Sequence, residues 1–204
     1  SSTCTYPLTN KPEDVWAAKM NDWFKTNYCL DMHYYGGYPG YYMRYLKERD
    51  IVPVTKAGDG ELLKSAKMDF IALNYYRTLC ASYLPADEEH PAGMRVFRGN
   101  EVDFDQYGYC RDEKSVNLKA SEYGAQIDPM GLRIVLNDYY ARYHLPLIIT
   151  ENGLGTPDVL TADDRVHDDY RIDYIRGHLD TMALAMEDGV ELMGYTVWGC
   201  TDLV

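Results

Sequence analysis

Hydrophobic positions along this chain switch between a period of three to four residues and short continuous apolar runs, and the switches outline the fold. Asn10-Lys11-Pro12-Glu13 reads as a helix start, with Asn10 as N-cap, Pro12 in the first turn and Glu13 at the positive end of the dipole. Trp16, Met20, Trp23 and Phe24 follow at the spacing of one apolar face, predicting a helix that carries a core stripe. Gly36-Gly37-Tyr38-Pro39-Gly40 breaks that pattern, and residues 41–50 predict a second helix.

Residues 68–76, Met-Asp-Phe-Ile-Ala-Leu-Asn-Tyr-Tyr, form a short apolar run that predicts a buried strand. The stretch 79–128 mixes Pro, Gly and charge, and predicts a long functional loop. A helix is expected from Asp128-Pro129-Met130-Gly131 to about Tyr143, on Leu132, Val135, Leu136, Tyr139 and Tyr140, with Pro146 stopping it. Residues 147–150 predict a second strand ending in Glu151-Asn152-Gly153, residues 165–188 a long helix, and residues 193–198 a third strand.

Helix and strand alternate, so the fold class expected is α/β with parallel strands joined by crossover helices. In such folds chemistry gathers at the carboxyl ends of the strands. That rule directs attention to Asn74-Tyr75-Tyr76, Glu151-Asn152 and Trp198.

Composition narrows the classes. With 204 residues, 46% hydrophobic and 25% charged, the chain has the make-up of one folded domain rather than a disordered segment. A net charge of -12 argues against nucleic acid, which is bound through clustered Lys and Arg. No stretch approaches the ~20 apolar residues that cross a bilayer, so no membrane anchor is expected. Cys4, Cys29, Cys80, Cys110 and Cys200 are odd in number and lack C-x-x-C spacing, which fits reduced thiols and a cytoplasmic location.

Three adjacent parallel strands would set Glu151, Tyr76, Asn74 and Trp198 on one rim. That set suits a sugar: a carboxylate can attack an anomeric carbon, a phenol can orient it, and an indole can cover a pyranose face. Residue types alone leave open the plainer reading that Glu151 only caps a strand.

The local wording separates the two. Leu147-Ile148-Ile149-Thr150-Glu151-Asn152-Gly153 resembles the nucleophile motif of glycoside hydrolase family 1, retaining β-glycosidases on a (β/α)8 barrel. Asp69–Tyr76 is similar to that family's sixth strand, Ile127–Arg133 to the start of the helix before the seventh, and Gly194–Asp202 to the eighth. The resemblance implies that Glu151 is the nucleophile, that Tyr76 hydrogen-bonds it, that Asn74 lines the site and that Trp198 belongs to the sugar platform. It implies no metal and no cofactor.

The family's acid/base Glu lies in an Asn-Glu-Pro sequence that does not occur here. The expectation is therefore a C-terminal part of a barrel, with strands six to eight and the tail of the fifth near residues 1–6, inactive in isolation. Trp198-Gly199-Cys200-Thr201-Asp202 resembles the 6-phospho-β-glycosidase branch, and the small Ala125 resembles its phospho-glucosidase members. The expected partner is a phosphorylated β-glucoside. The alternatives are a 6-phospho-β-galactosidase, an unphosphorylated β-glucosidase, or a catalytically silent sugar-binding fragment.

Two further groups take plain readings. The acidic run Asp158, Asp163, Asp164, His167, Asp168 and Asp169 sits at a helix start, where the dipole explains it better than a metal does. The cluster Tyr28, Tyr34, Tyr35, Tyr38, Tyr41, Tyr42 and Tyr45 is expected to line the interior or a homo-oligomer contact. His33, His90, His144 and His178 are expected at the surface or as satisfied partners.

Overall fold

A computed structural model describes residues 2–83, 96–98, 101–103 and 110–199 of the chain. Its main sheet holds three parallel strands, β2 (Ile71–Asn74), β7 (Leu147–Glu151) and β8 (Leu192–Tyr195), in the order β2-β7-β8. The helices α5 (Pro129–Tyr143) and α6 (Asp169–Glu187) form the crossovers between them. The expected alternation of helix and parallel strand is therefore present.

One face of this sheet is dry and the other is open. Ile71, Leu73, Leu147 and Ile149 are buried with Leu132, Val135, Leu136, Tyr139 and Tyr143 of α5 and Met182 and Ala185 of α6. Each buried Leu or Ile contributes about 1.5–3 kcal/mol, and this layer fixes the strands' positions. Ala72 and Thr150, at the alternate positions, are exposed.

A second three-stranded sheet, in the order β1-β3-β6, is built from β1 (Thr5–Pro7), β3 (Leu79–Tyr83) and β6 (Cys110–Glu113). Here the expected loop over 79–128 is corrected: residues 79–83 and 110–113 pair antiparallel, and β4 (Val96–Arg98) pairs with β5 (Glu101–Asp103). β3 is a short run of Leu-Cys-Ala-Ser-Tyr, but its partner β6 is Cys-Arg-Asp-Glu, so hydrophobic pattern alone does not mark the pair. Among the described residues of the expected fifth-strand tail, Ser2 bridges Tyr75 in parallel at the edge of the main sheet, while β1 itself pairs with β3.

The first helix also differs from its expectation. α1 (Pro12–Asp22) has Lys11, not Asn10, as N-cap without a side-chain cap bond. Thr9 supplies order instead, accepting the Lys11 N–H and donating to Asp14. A π-helical turn over Trp23–Asn27 then passes into α2 (Tyr28–Tyr35), and Gly36 closes α2 at φ 72°. Met20 and Phe24 of the expected stripe are buried, but Trp16, one turn earlier in α1, is 49% exposed and meets Trp23 edge-to-face at 5.4 Å.

α3 (Gly40–Glu48) matches the expected second helix, and a short α4 (Asp59–Ser65), which has no buried residue, was not signalled by periodicity. The tyrosine cluster forms a small second core between these helices. Tyr28 and Tyr42 stack at 4.4 Å and Phe24 meets Tyr45 at 4.9 Å, whereas Tyr34 and Tyr35 remain exposed. Asp31, 1% exposed, ties this layer to α5 through a two-bond Arg142 contact and the hydroxyls of Tyr143 and Tyr41.

Cys4, Cys29 and Cys80 are free thiols; Cys200 and His90 lie outside the described residues. Among the described residues no group of His, Cys, Asp and Glu is arranged to hold a metal. No described helix is long and apolar enough to cross a membrane.

Candidate active site

The carboxyl end of β7 departs from strict alternation. Leu147 and Ile149 are buried against the helices, and a period of two would send residue 151 to the same side. Instead Asn152 is 0% exposed and Glu151 is half-buried, so the buried position moves one residue on and the carboxylate is left accessible. The β2–β7 register also shifts between Leu73 and Asn74, which brings Asn74 opposite Glu151.

Tyr76, just past β2, donates its hydroxyl to Glu151 Oε2 at 2.7 Å. Burial, and then the Glu151 carboxylate beside it, push the Tyr76 phenol well above the usual tyrosine range, so it stays a donor. Asn74 Oδ1 accepts from Thr150 Oγ1 at 2.6 Å, and Thr150 in turn bonds Leu73 O at 3.2 Å. Asn74 thus braces the strand end beside Glu151.

Beneath the carboxylate lies a polar network that pattern reading did not single out. Asn152 Nδ2 donates to Tyr75 O at 2.7 Å and to Tyr174 Oη at 3.0 Å, and Asn152 Oδ1 accepts from Tyr195 Oη at 2.9 Å. Tyr174 Oη then donates to Tyr76 O at 3.0 Å. The main chain completes the tie: Tyr75 N–H donates to Glu151 O and Trp198 N–H to Asn152 O. Asn152 and Tyr195 stood inside quoted motifs, but nothing in their spacing told that their side chains meet; Tyr174 carries no signal beyond its place on the apolar side of α6.

Gly153 makes the close contact possible. A Cβ on it would lie 2.8 Å from the Trp198 carbonyl oxygen, inside any real Cβ contact. Trp198 is 50% exposed and, with Tyr76, Tyr123, Gly153, Leu154 and Arg171, lines a cavity of about 300 Å³ beside the strand ends. Glu151 is not part of that lining and is reached from it through the Tyr76 hydroxyl.

Ala125 belongs to the loop beside this cavity. It closes a tight turn with Ser121, whose N–H donates to Ala125 O at 2.8 Å, and Tyr123 of the same turn, not Ala125, lines the cavity. Cys200, Thr201 and Asp202 of the eighth-strand motif fall outside the described residues.

Asp168 and Asp169 open α6 as expected, and two of the acidic residues are also tied to an arginine. Arg171 bonds Asp158 and Asp168 and reaches the carbonyls of Leu154 and Thr156, so it staples the loop after β7 to α6. The Arg171 guanidinium holds the Asp158 carboxyl below the usual range. Asp163 and Asp164 stay exposed in a turn with Thr161.

His178 corrects the expectation of a satisfied partner. It is fully buried, its Nδ1 lies 2.7 Å from Tyr174 O, and its Nε2 has no hydrogen-bond partner; burial lowers its pKa.

Residues 1–204 match the family model described as Glycosyl hydrolase family 1. The chain is 46% identical over 204 residues to an aryl-phospho-beta-D-glucosidase of Bacillus subtilis (strain 168), covering 100% of this chain and 40% of that protein. It is 45% identical over 203 residues to a 6-phospho-beta-glucosidase of Clostridium longisporum, covering 98% of this chain and 40% of that protein. Its structure superposes on the family 1 b-glucosidase from Thermotoga maritima with a TM-score of 0.77 and 28% identity, over 96% of this chain and 40% of that one. The chain thus spans about 40% of the length of these relatives, and its fold is part of the expected (β/α)8 barrel.

Proposed function

Because the chain belongs to glycosyl hydrolase family 1, we propose that residues 1–204 form the nucleophile-bearing part of a catalytic domain that hydrolyses 6-phospho-β-glucosides with retention. The observation that carries this reading is the Glu151 carboxylate at the end of β7, half-accessible and bonded by Tyr76 at 2.7 Å. The phosphorylated substrate class is supported by the names of the two relatives sharing 46% and 45% identity.

The chemistry is double displacement. One Glu151 oxygen attacks the anomeric carbon as the glycosidic C–O bond breaks, and the leaving oxygen takes a proton from a second carboxyl group about 5–5.5 Å away. Water then attacks the same carbon and returns a proton to that second group. Glu151 leaves as a carboxylate, and the configuration is retained. Tyr76 donates to Glu151 in its charged state and so holds one oxygen while the other reacts. Trp198 offers an aromatic face to the C–H side of the sugar, and Asn74 braces the strand beside it.

No Asn-Glu-Pro occurs in the sequence, so the proton donor is supplied from outside these residues and the 204-residue chain alone gives no turnover. The location proposed is the cytoplasm, a reading supported by the reduced thiols of Cys4, Cys29 and Cys80.

The test is a 2-fluoro-6-phosphoglucoside with a good leaving group, applied to the protein as its full gene encodes it. Mass spectrometry of the digest is expected to find the sugar on Glu151. Labelling of another residue, or faster hydrolysis of the unphosphorylated aryl glucoside, overturns the nucleophile or the phosphate assignment respectively.

A further inference from the structure

We propose that Asn152 is the positioning residue of this site: through Tyr75, Tyr174 and Tyr195 it locks the three strand ends so that the chain turns Glu151 out of the helix-facing row. The inference rests on Glu151 being the nucleophile, and deepens that reading.

Three observations carry it. First, the alternation of buried residues breaks at this one point, with Ile149 and Asn152 buried and Glu151 left half-accessible. A side chain as polar as Asn is stable at 0% exposure only when its donors and acceptor are used, and here both are: Nδ2 to Tyr75 O and Tyr174 Oη, Oδ1 from Tyr195 Oη.

Second, the partners come from the end of β2, from α6 and from the end of β8, so this one side chain bonds to three of the elements around Glu151. Third, the network returns to the carboxylate's own partner. Tyr174, held by Asn152, donates to the carbonyl of Tyr76, while the Tyr76 hydroxyl donates to Glu151. Both the backbone beneath Glu151 and the phenol above it are therefore referred to Asn152. Burial raises the pKa of Tyr174 and Tyr195, so both hydroxyls keep their protons.

A nucleophile displaced by about 1 Å costs as much as 10²-fold in rate while contacts to the rest of the substrate are kept. The role predicted is thus on the covalent step rather than on binding. It differs from a stabilising role, which would lower the number of folded molecules and leave each folded one normal.

The experiment measures the rate constant for covalent labelling by the 2-fluoro-6-phosphoglucoside, per titrated site, for the wild type, Asn152→Ala and Tyr195→Phe in the protein as its full gene encodes it. Expected is full stoichiometry on Glu151 in all three, with labelling slowed about 10- to 100-fold in Asn152→Ala and about 3- to 10-fold in Tyr195→Phe. Steady-state KM should stay within about threefold. If Asn152→Ala does not fold, Tyr195→Phe, which loses one hydroxyl, decides alone. Wild-type labelling rates per site in the folded variants overturn the positioning role. Wild-type labelling on a residue other than Glu151 overturns the reading beneath it, and the two failures are told apart by where the label sits.

Discussion

The Tyr76 hydroxyl lies 2.7 Å from Glu151 Oε2, joining residues 75 positions apart in the chain. The contact exists because β2 and β7 are parallel neighbours whose register shifts at Asn74, so both strands end at the same height. From it, and from the packing beneath it, several measurable outcomes follow.

Tyr76→Phe removes the donor while keeping the ring. We expect kcat to fall about 10- to 100-fold, in the range of one positioned hydrogen bond to a reacting group, with little loss of thermal stability. An unchanged kcat in steady-state assays of the full gene product would refute the role given to the phenol.

Gly131→Ala should be costly. The added Cβ would collide with Thr78 Oγ1 and Tyr75 Oη and come within 2.6 Å of Asp128 Oδ2. Those groups form a closed buried set, with Thr78 donating to Asp128 at 2.6 Å and Tyr75 donating to the Asp128 carbonyl at 2.8 Å. Overpacking with loss of one bond predicts about 2–4 kcal/mol, read from urea denaturation.

Gly153→Ala tests the contact between the ends of β7 and β8. With a Cβ 2.8 Å from the Trp198 carbonyl, one strand end must move, which predicts about 1–3 kcal/mol of lost stability and a shifted Trp emission. Emission and Tm equal to wild type would show that the approach is looser than described.

Acidity should act in two windows of opposite sign. Burial pushes Asp22, which accepts from Thr5 at 2.6 Å, up from 3.8 to about 7. The folded state then holds a proton that the unfolded state releases, so this group's contribution falls as pH rises from about 4 to about 7. Arg133, and then Asn137, hold Asp188 down at about 2, so its contribution is present above about 4 and is lost as pH falls toward 2. Asp22→Asn should flatten the upper window alone in denaturation curves taken from pH 4 to 8.

Asp31→Ala strands the Arg142 guanidinium and the hydroxyls of Tyr41 and Tyr143. Arg142 is 34% exposed and can be hydrated, so the loss expected is about 1–3 kcal/mol rather than that of a fully buried pair. A loss under about 1 kcal/mol by calorimetry would mean that this network does not join the tyrosine layer to α5.

The three main-sheet strands and the two crossover helices were legible in the sequence because they are apolar on the period their structure requires. Leu147 and Ile149 face helices and Leu132, Val135 and Leu136 face strands, and burial writes itself into spacing. The polar strand β6, Cys-Arg-Asp-Glu, left no such record, and Trp16 is 49% exposed although it shares the spacing of the buried Met20 and Phe24.

The site divides in the same way. Glu151, Tyr76, Asn74 and Trp198 could be named because strand ends and motif wording mark them, whereas Ala125 lies in a turn whose Tyr123 lines the cavity. The family, the parallel strands and the carboxylate at the end of β7 are written in the order of the residues. That Asn152, Tyr174 and Tyr195 share one network is not, because hydrogen bonds between residues 22 and 43 positions apart depend on where strands and helices come to rest, and no local period encodes that distance.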